Sequence, residues 1–306
     1  LKQKDEKMRI LVTGGAGFIG SHTVDKLVAE KCDVVVIDRK DPKYRNDAAV
    51  YYRFDLNAPQ TAEVFEKHNF DAVIHLAAQA SVAVSVADPV RDAQDNVMAS
   101  VRVIDLCKKH GVKKIVVSSS AALYAAPQYL PVDEKHPVSF LSPYAISKHT
   151  MEEYVKLSGT DHIIFRYANV YGPRQDPHGE AGVVSIFIEK MIRNLPLEIH
   201  GDGEQTRDFV YVGDVAEMNC RAVLSDGKNE TLNVSTNTRT SINKLFSLIG
   251  KYTDYTLSPN RAPARAGDIK HSVLNNAKAA AVLGFTPQTT LENGLKETVA
   301  FFKKAY

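Results

Sequence analysis

Three cysteines in 306 residues, Cys32, Cys107 and Cys220, are too far apart and odd in number to staple a fold, and none lies in a CxxC pair. No disulfide framework is expected, and a reducing, cytoplasmic setting suits the chain. Charge of one sign is also scarce. Thirty-eight Lys and Arg stand against 36 Asp and Glu, a net of +2, which implies no basic face for nucleic acid. No apolar run approaches a membrane span, and the charged opening LKQKDEKM lacks the apolar core of a signal peptide, so no membrane partner is expected. Internal repeats and low-complexity tracts are absent, and no metal is expected.

What is present is a steady alternation. Apolar residues make up 44% of the chain, enough for two domains or one large domain with an elaboration. From Met8 onward, short β-branched runs (RILVT, DVVVID, VYYRFD, DAVIHLA, KKIVVSSS, HIIFRY) alternate with helical periods over 18–30, 59–67, 89–110 and 143–157. Six near-continuous apolar strands separated by helices predict an α/β fold, a doubly wound parallel sheet of the Rossmann kind. After about Tyr171 the texture changes to Gly- and Pro-containing charged loops between short helices near 183–193, 214–224, 241–251 and 291–303. The expected division is a dinucleotide-binding domain over 1–171, rejoined by about 207–237, and a smaller mixed α/β substrate-binding lobe over 172–306.

Two local patterns carry chemistry. VTGGAGFIGSH follows the first strand and opens the first helix. Gly14, Gly17 and Gly20 permit a tight turn, close approach of backbone to a pyrophosphate and close helix–strand packing, with Phe18 and Ile19 beginning the helix. Asp38 ends the second strand, where a carboxylate accepts from ribose hydroxyls and disfavours a 2′-phosphate, so NAD is expected; Arg39 beside it is the feature that would suit NADP. In SPYAISKHT, Ser142 is an N-cap and Pro143 the first helical residue, which puts Tyr144 and Lys148 one turn apart on one face. A phenol near an ammonium and a helix N-terminus has its anion favoured, as a general base needs, but the same spacing also describes an interfacial Tyr and a solvated Lys. Ala77 and Ala78 after the fourth strand permit either cofactor approach or tight packing. Ser118, Ser119 and Ser120 offer either loop hydrogen bonds or a catalytic donor.

Taken in order, TGGAGFIG, Asp38, SSSA and YxxxK resemble the extended short-chain dehydrogenase/reductase family, and the likeness runs from about Met8 to Phe302. FRYANVYGPRQ, LEIHGDGEQTRDFVYVGDVA and RAGDIKHS are similar to the substrate segments of its nucleotide-sugar epimerase/dehydratase branch, with UDP-glucose (UDP-galactose) 4-epimerases and the related UDP-N-acetylglucosamine 4-epimerases as the best likeness. Dehydratases of the branch carry an Asp-Glu pair where this chain has Ala121 and Ala122, and the decarboxylating relatives need a carboxylate at the second position. The chain departs from the epimerase pattern at Ala125, where a glycine is usual, and at Ala99-Ser100 and Phe209.

The resemblance implies NAD-dependent 4-epimerisation of a UDP-sugar by a homodimer joined through the helices near 89–110 and 143–157. Tyr144 would be the base, Lys148 its support and Ser120 the donor to the reacting oxygen. It assigns Asp55, Leu56, Leu76, Ala77, Ala78, Gln79, Asn96, Ser118 and Tyr167 to the cofactor, with the glycine turn, Asp38, Tyr144 and Lys148. To the substrate it assigns Asn169, Val183, Val184, Leu197, Ile199, Arg207, Arg265, Asp268 and Ser272, with Ser120 and Tyr144. Ser272 falls where a small residue leaves space for an N-acetyl group. The competing readings are a net nucleotide-sugar reductase and a non-catalytic dinucleotide-binding regulator.

Overall fold

The computed structural model describes residues 7–179, 182–264 and 269–305. Six strands form where the β-branched runs predict them: β1 Arg9–Thr13, β2 Asp33–Asp38, β3 Val50–Arg53, β4 Ala72–His75, β5 Lys114–Ser120 and β6 Asp161–Tyr167. A seventh, Glu230–Val234, joins the same sheet. The order is Glu230–Val234, β6, β5, β4, β1, β2, β3. The pairs β1–β2, β1–β4, β2–β3 and β4–β5 are parallel. The order reverses between β1 and β4, the switch point at which doubly wound sheets bind ligands at their carboxyl ends.

By its contacts the chain divides into two compact units, and neither is a single stretch of sequence. The first comprises Leu1–Ser120, Ser142–Arg166 and Ala216–Leu232; the second comprises Ala121–Leu141, Tyr167–Val215 and Asn233–Tyr306. In the first, Leu11, Val35, Ile37, Val73, Ile115, Val117 and Ile164 from the strands meet Phe65, Val103, Ile104, Met151 and Val155 from the helices in one buried cluster. In the second, Phe187, Ile188, Met191, Phe209, Leu245, Ile249, Leu295 and Phe302 form another, drawn from the helices Val183–Ile192, Ile242–Thr253 and Leu291–Lys303.

Two expectations for the helices are refined. The period over 89–110 is not one α-helix: Pro89–Ala93 and Ala99–Lys109 are joined by a π-helical turn, Gln94–Met98, and a separate short helix, Val82–Ala87, precedes them. In the second unit the helix Ala277–Leu283 lies in a stretch read as loop. Seven residues, four of them alanine, give too little periodicity to stand out. Among the described residues no helix is long and apolar enough to cross a membrane.

Candidate active site

The site in the first unit begins at the end of β1. Gly14 has φ +72, and a Cβ there would lie 2.6 Å from the Ala77 nitrogen. A side chain at Gly20 would come within 2.0 Å of the Gly14 carbonyl oxygen. The turn after β1 is thus packed directly on Leu76, Ala77 and the segment following β4, and only glycine fits. The helix α1, Phe18–Ala29, starts from Gly17 with no side-chain cap, so the N–H groups of its first turn remain available to an anion. Asp38 reaches back across the turn: Oδ2 accepts from Ala16 N at 3.0 Å and Oδ1 from Lys40 N at 2.9 Å. Each oxygen keeps a second lone pair for a ribose hydroxyl. Arg39 is paired with Asp95 at 2.9 Å rather than directed at a phosphate position. Glycine cradle, uncapped helix start and carboxylate together fit a dinucleotide.

The helix Pro143–Leu157 forms as its first residues dictate. Ser142 accepts from Ala145 N and Pro143 occupies the first turn. Tyr144 and Lys148 consequently share a face, with the ammonium 5.9 Å from the Tyr144 ring centroid. Both side chains are buried. Lys148 Nζ donates to the Ser118 carbonyl at 2.7 Å and approaches Ser118 Oγ at 3.5 Å, so it is anchored to β5 and not solvated.

The three serines separate by the two-residue alternation of a strand. Ser119 faces away from Lys148 and donates to Glu152 Oε1, whose carboxylate also holds the buried Arg166 at 2.9 Å and 2.7 Å. Its hydroxyl belongs to that ion pair. Ser118 donates to the His75 carbonyl at 3.3 Å. Ser120, two residues on, shares the Ser118 face and is partly exposed at the strand end.

His75 was not singled out by sequence, although an imidazole inside the apolar run AVIHLA is a signal. It is fully buried, and burial, with the nearby Lys148 cation, pushes its pKa down to about 3. Its ring joins Thr13 Oγ1 at 2.7 Å to Ser100 Oγ at 2.9 Å. Ser100 donates to the Asn96 carbonyl, which makes Ser100 the acceptor for Nε2–H and His75 Nδ1 the acceptor for Thr13. A neutral imidazole satisfies every group.

Asn96 and Gln79 clasp one another: Gln79 N donates to Asn96 Oδ1 at 2.8 Å and Asn96 Nδ2 to the Gln79 carbonyl at 2.9 Å. Of the remaining cofactor candidates, Tyr167 is buried at the end of β6 and Leu56 lies in the core cluster, while Asp55 is exposed and accepts from Asn57 N.

In the second unit, Thr206–Arg207 runs beside 270–272, with Ser272 N donating to the Thr206 carbonyl at 3.1 Å, so Arg207 and Ser272 are neighbours. Asn169 is exposed and its strand, Asn169–Tyr171, pairs with Phe209–Tyr211. Val184, Leu197 and Ile199 are buried in the apolar cluster, with Val183 at its margin; their side chains serve packing there. Arg265 and Asp268 lie outside the described residues.

Comparison with known proteins follows the same lines. A UDP-glucose 4-epimerase from Thermotoga maritima, crystallised with UDP-glucose, superposes with a TM-score of 0.94 at 42% identity over 97% of this chain and 99% of its own. A UDP-glucose 4-epimerase from Thermus thermophilus, crystallised with NAD, gives 0.91 at 37% identity over 98% and 100%. A UDP-N-acetylglucosamine 4-epimerase from Methanobrevibacter ruminantium, in complex with UDP-N-acetylmuramic acid, gives 0.92 at 34% identity over 98% and 100%. The model of the NAD dependent epimerase/dehydratase family matches residues 10–235, a span that holds the glycine turn, Asp38, the serine-ended strand and the Tyr144–Lys148 helix, and the chain belongs to that family.

Proposed function

We propose that this protein is an NAD-dependent 4-epimerase of UDP-sugars, acting on UDP-glucose and UDP-galactose through a 4-keto intermediate. The observation that carries the reading is the Tyr144–Lys148 pair anchored to Ser118 at the carboxyl end of β5, in a chain with alanines at 121 and 122. A site with a base, and with alanines at the two positions where the eliminating relatives carry their acid–base carboxylates, suits oxidation and reduction of one alcohol, not elimination. The glycine turn, Asp38 and the segment 76–79 hold the cofactor. NAD, when bound, supplies the hydride acceptor for the sugar C4 and the donor for the return.

The remaining work falls to the side chains. Tyr144, as phenolate, takes the proton of the sugar 4-hydroxyl and gives it back after the ketone has turned. Lys148, a fixed cation beside the ring, favours the phenolate. Ser120 donates to the reacting oxygen. Reduction on the opposite face inverts C4, so no external oxidant is consumed. Arg207 holds the diphosphate as a planar fork, which keeps the intermediate from leaving while the sugar moves, and Ser272 beside it leaves space for an N-acetyl group. The substrate range therefore includes UDP-N-acetylglucosamine.

Arg39, tied to Asp95, speaks against an NADP-linked reductase. A homodimer is supported by apolar side chains left exposed on the helices of the first unit, Val86, Val90, Met98, Ile146, Tyr154 and Leu157, the last at 84% exposure. The three cysteines are free, which suits the cytoplasm.

Anomeric-proton NMR with UDP-galactose, then UDP-N-acetylglucosamine, with trace NAD and no reductant, tests the reading. Conversion to the C4 epimer is expected for both, and no conversion of either with NAD restored refutes it. Tyr144→Phe is expected to cost about a thousandfold in turnover with NAD binding kept; activity like the wild type would remove Tyr144 as the base.

A further inference from the structure

Asp92 is a carboxylate with no exposed surface, and neither the motifs nor the mechanism uses it. Its Oδ1 accepts from Gln79 Nε2 and from Asn96 Nδ2, both at 2.9 Å. Its Oδ2 accepts from Ser147 Oγ at 2.6 Å. Gln79 and Asn96 fix the segment after β4, which packs on the glycine turn. Ser147 sits beside Lys148 and three residues after Tyr144 in the helix that carries both. One buried group thus bonds the two elements whose separation sets the distance between cofactor and base.

We propose that Asp92 is a positioning residue, a buried three-donor acceptor that locks the catalytic helix to the cofactor-binding segment in the first unit. Two features favour this over a simple packing role. An ionised carboxylate accepts from all three donors at once, which no other side chain of that size does. The π-helical turn Gln94–Met98 begins two residues later and carries Asn96; such turns inside helices are frequent at functional sites. The proposal rests on the epimerase reading for its kinetic arm only, because its cofactor arm is read without substrate.

The test compares three variants by thermal unfolding, by NAD affinity of the apoprotein from calorimetry, and by kcat and KM at saturating NAD. Asp92→Ala leaves one buried hydrogen each of Gln79, Asn96 and Ser147 without its acceptor and is expected to lower NAD affinity about tenfold and kcat about thirtyfold, with KM for the UDP-sugar within about twofold of wild type. In Asp92→Asn the carbonyl oxygen retains both amide donors, and the new amide donates to Ser147 once that hydroxyl turns its proton away. Both quantities should then stay within about threefold of wild type. Ser147→Ala removes only the helix arm and should lower kcat about fivefold with NAD affinity unchanged, which keeps the proposal testable if Asp92→Ala does not fold. Wild-type kcat and NAD affinity in folded Asp92→Ala, Asp92→Asn as damaging as Asp92→Ala, or wild-type kcat in Ser147→Ala would each overturn it. If the protein proves not to epimerise, a tenfold loss of NAD affinity confined to Asp92→Ala still supports the lock on its cofactor side, and unchanged affinity refutes it.

Discussion

Two buried carboxylates of the first unit and two of the second are used in different ways. In the first, Asp92 and Glu152 answer other side chains: amides and a hydroxyl for Asp92, a hydroxyl and a guanidinium for Glu152. In the second, Glu189 pairs with Arg193 at 3.1 Å, but Asp208 and Asp214 answer mainly backbone. Asp208 accepts from Thr236 N at 2.9 Å and Leu274 N at 3.3 Å, and Asp214 from Gln288 N at 3.2 Å and Thr289 N at 2.9 Å. The difference follows from the strands. The long strands of the seven-stranded sheet pair much of the backbone around Asp92 and Glu152, whereas strands of two or three residues in the second unit leave loop N–H groups that must find another acceptor. Asp92 and Glu152 are therefore released to bond side chains of other elements.

The sharpest way to break this contrast is Glu152→Ala. It removes the carboxylate that the Arg166 guanidinium, itself only 4% exposed, is paired with, and is expected to cost about 3–5 kcal/mol in urea unfolding. A loss no larger than that of a surface substitution would mean the pair is not what secures β6 to the Tyr144–Lys148 helix.

His75 gives a pH test confined to the first unit. Its folded pKa of about 3 lies below the ordinary 6.5, so the unfolded chain takes up the proton first. The stability it contributes is complete above pH 6.5 and declines as pH falls toward 3, by about 1.4 kcal/mol per pH unit. Wild type should therefore lose about 2 kcal/mol more than His75→Gln between pH 6.5 and 5. Parallel curves for the two proteins would show that the imidazole is not held neutral.

In the second unit, burial raises the pKa of Asp208 while the donors from Thr236 and Leu274 act against the rise. Asp208→Asn turns one acceptor into a donor facing a backbone N–H, and a loss of about 1.5 kcal/mol is expected by denaturant titration. An unchanged midpoint would refute the backbone-anchoring role.

The smallest effect belongs to Ala125, which departs from the glycine usual in the family and sits at φ +46, where a Cβ is strained. Relief of that strain outweighs the added freedom of the unfolded chain, so Ala125→Gly should stabilise by about 0.5 kcal/mol. A lower melting temperature would contradict it.

How much of this was legible in the sequence depended on distance along the chain. The glycine turn, the Ser142-Pro143 helix start and the Tyr144–Lys148 spacing are local, and each forms where it was read. The seventh strand was harder to see, since ETLNV buries only its last three residues and lacks the apolar run of the others. Ser118, Ser119 and Ser120 read alike until the alternation of β5 sent the middle one to Glu152. Asp92 and Ser147 stand 55 positions apart, and no local pattern in the sequence joins them.

The sequence by itself determined the strand–turn–helix order, the glycine turn and the placing of Tyr144 and Lys148 on one helix face, because backbone sterics and side-chain period act over a few residues. Only the tertiary structure decided which buried polar groups meet. Their pairing is enforced by the cost of leaving a donor or a charge unanswered away from water, and that cost is felt only once distant segments have packed together.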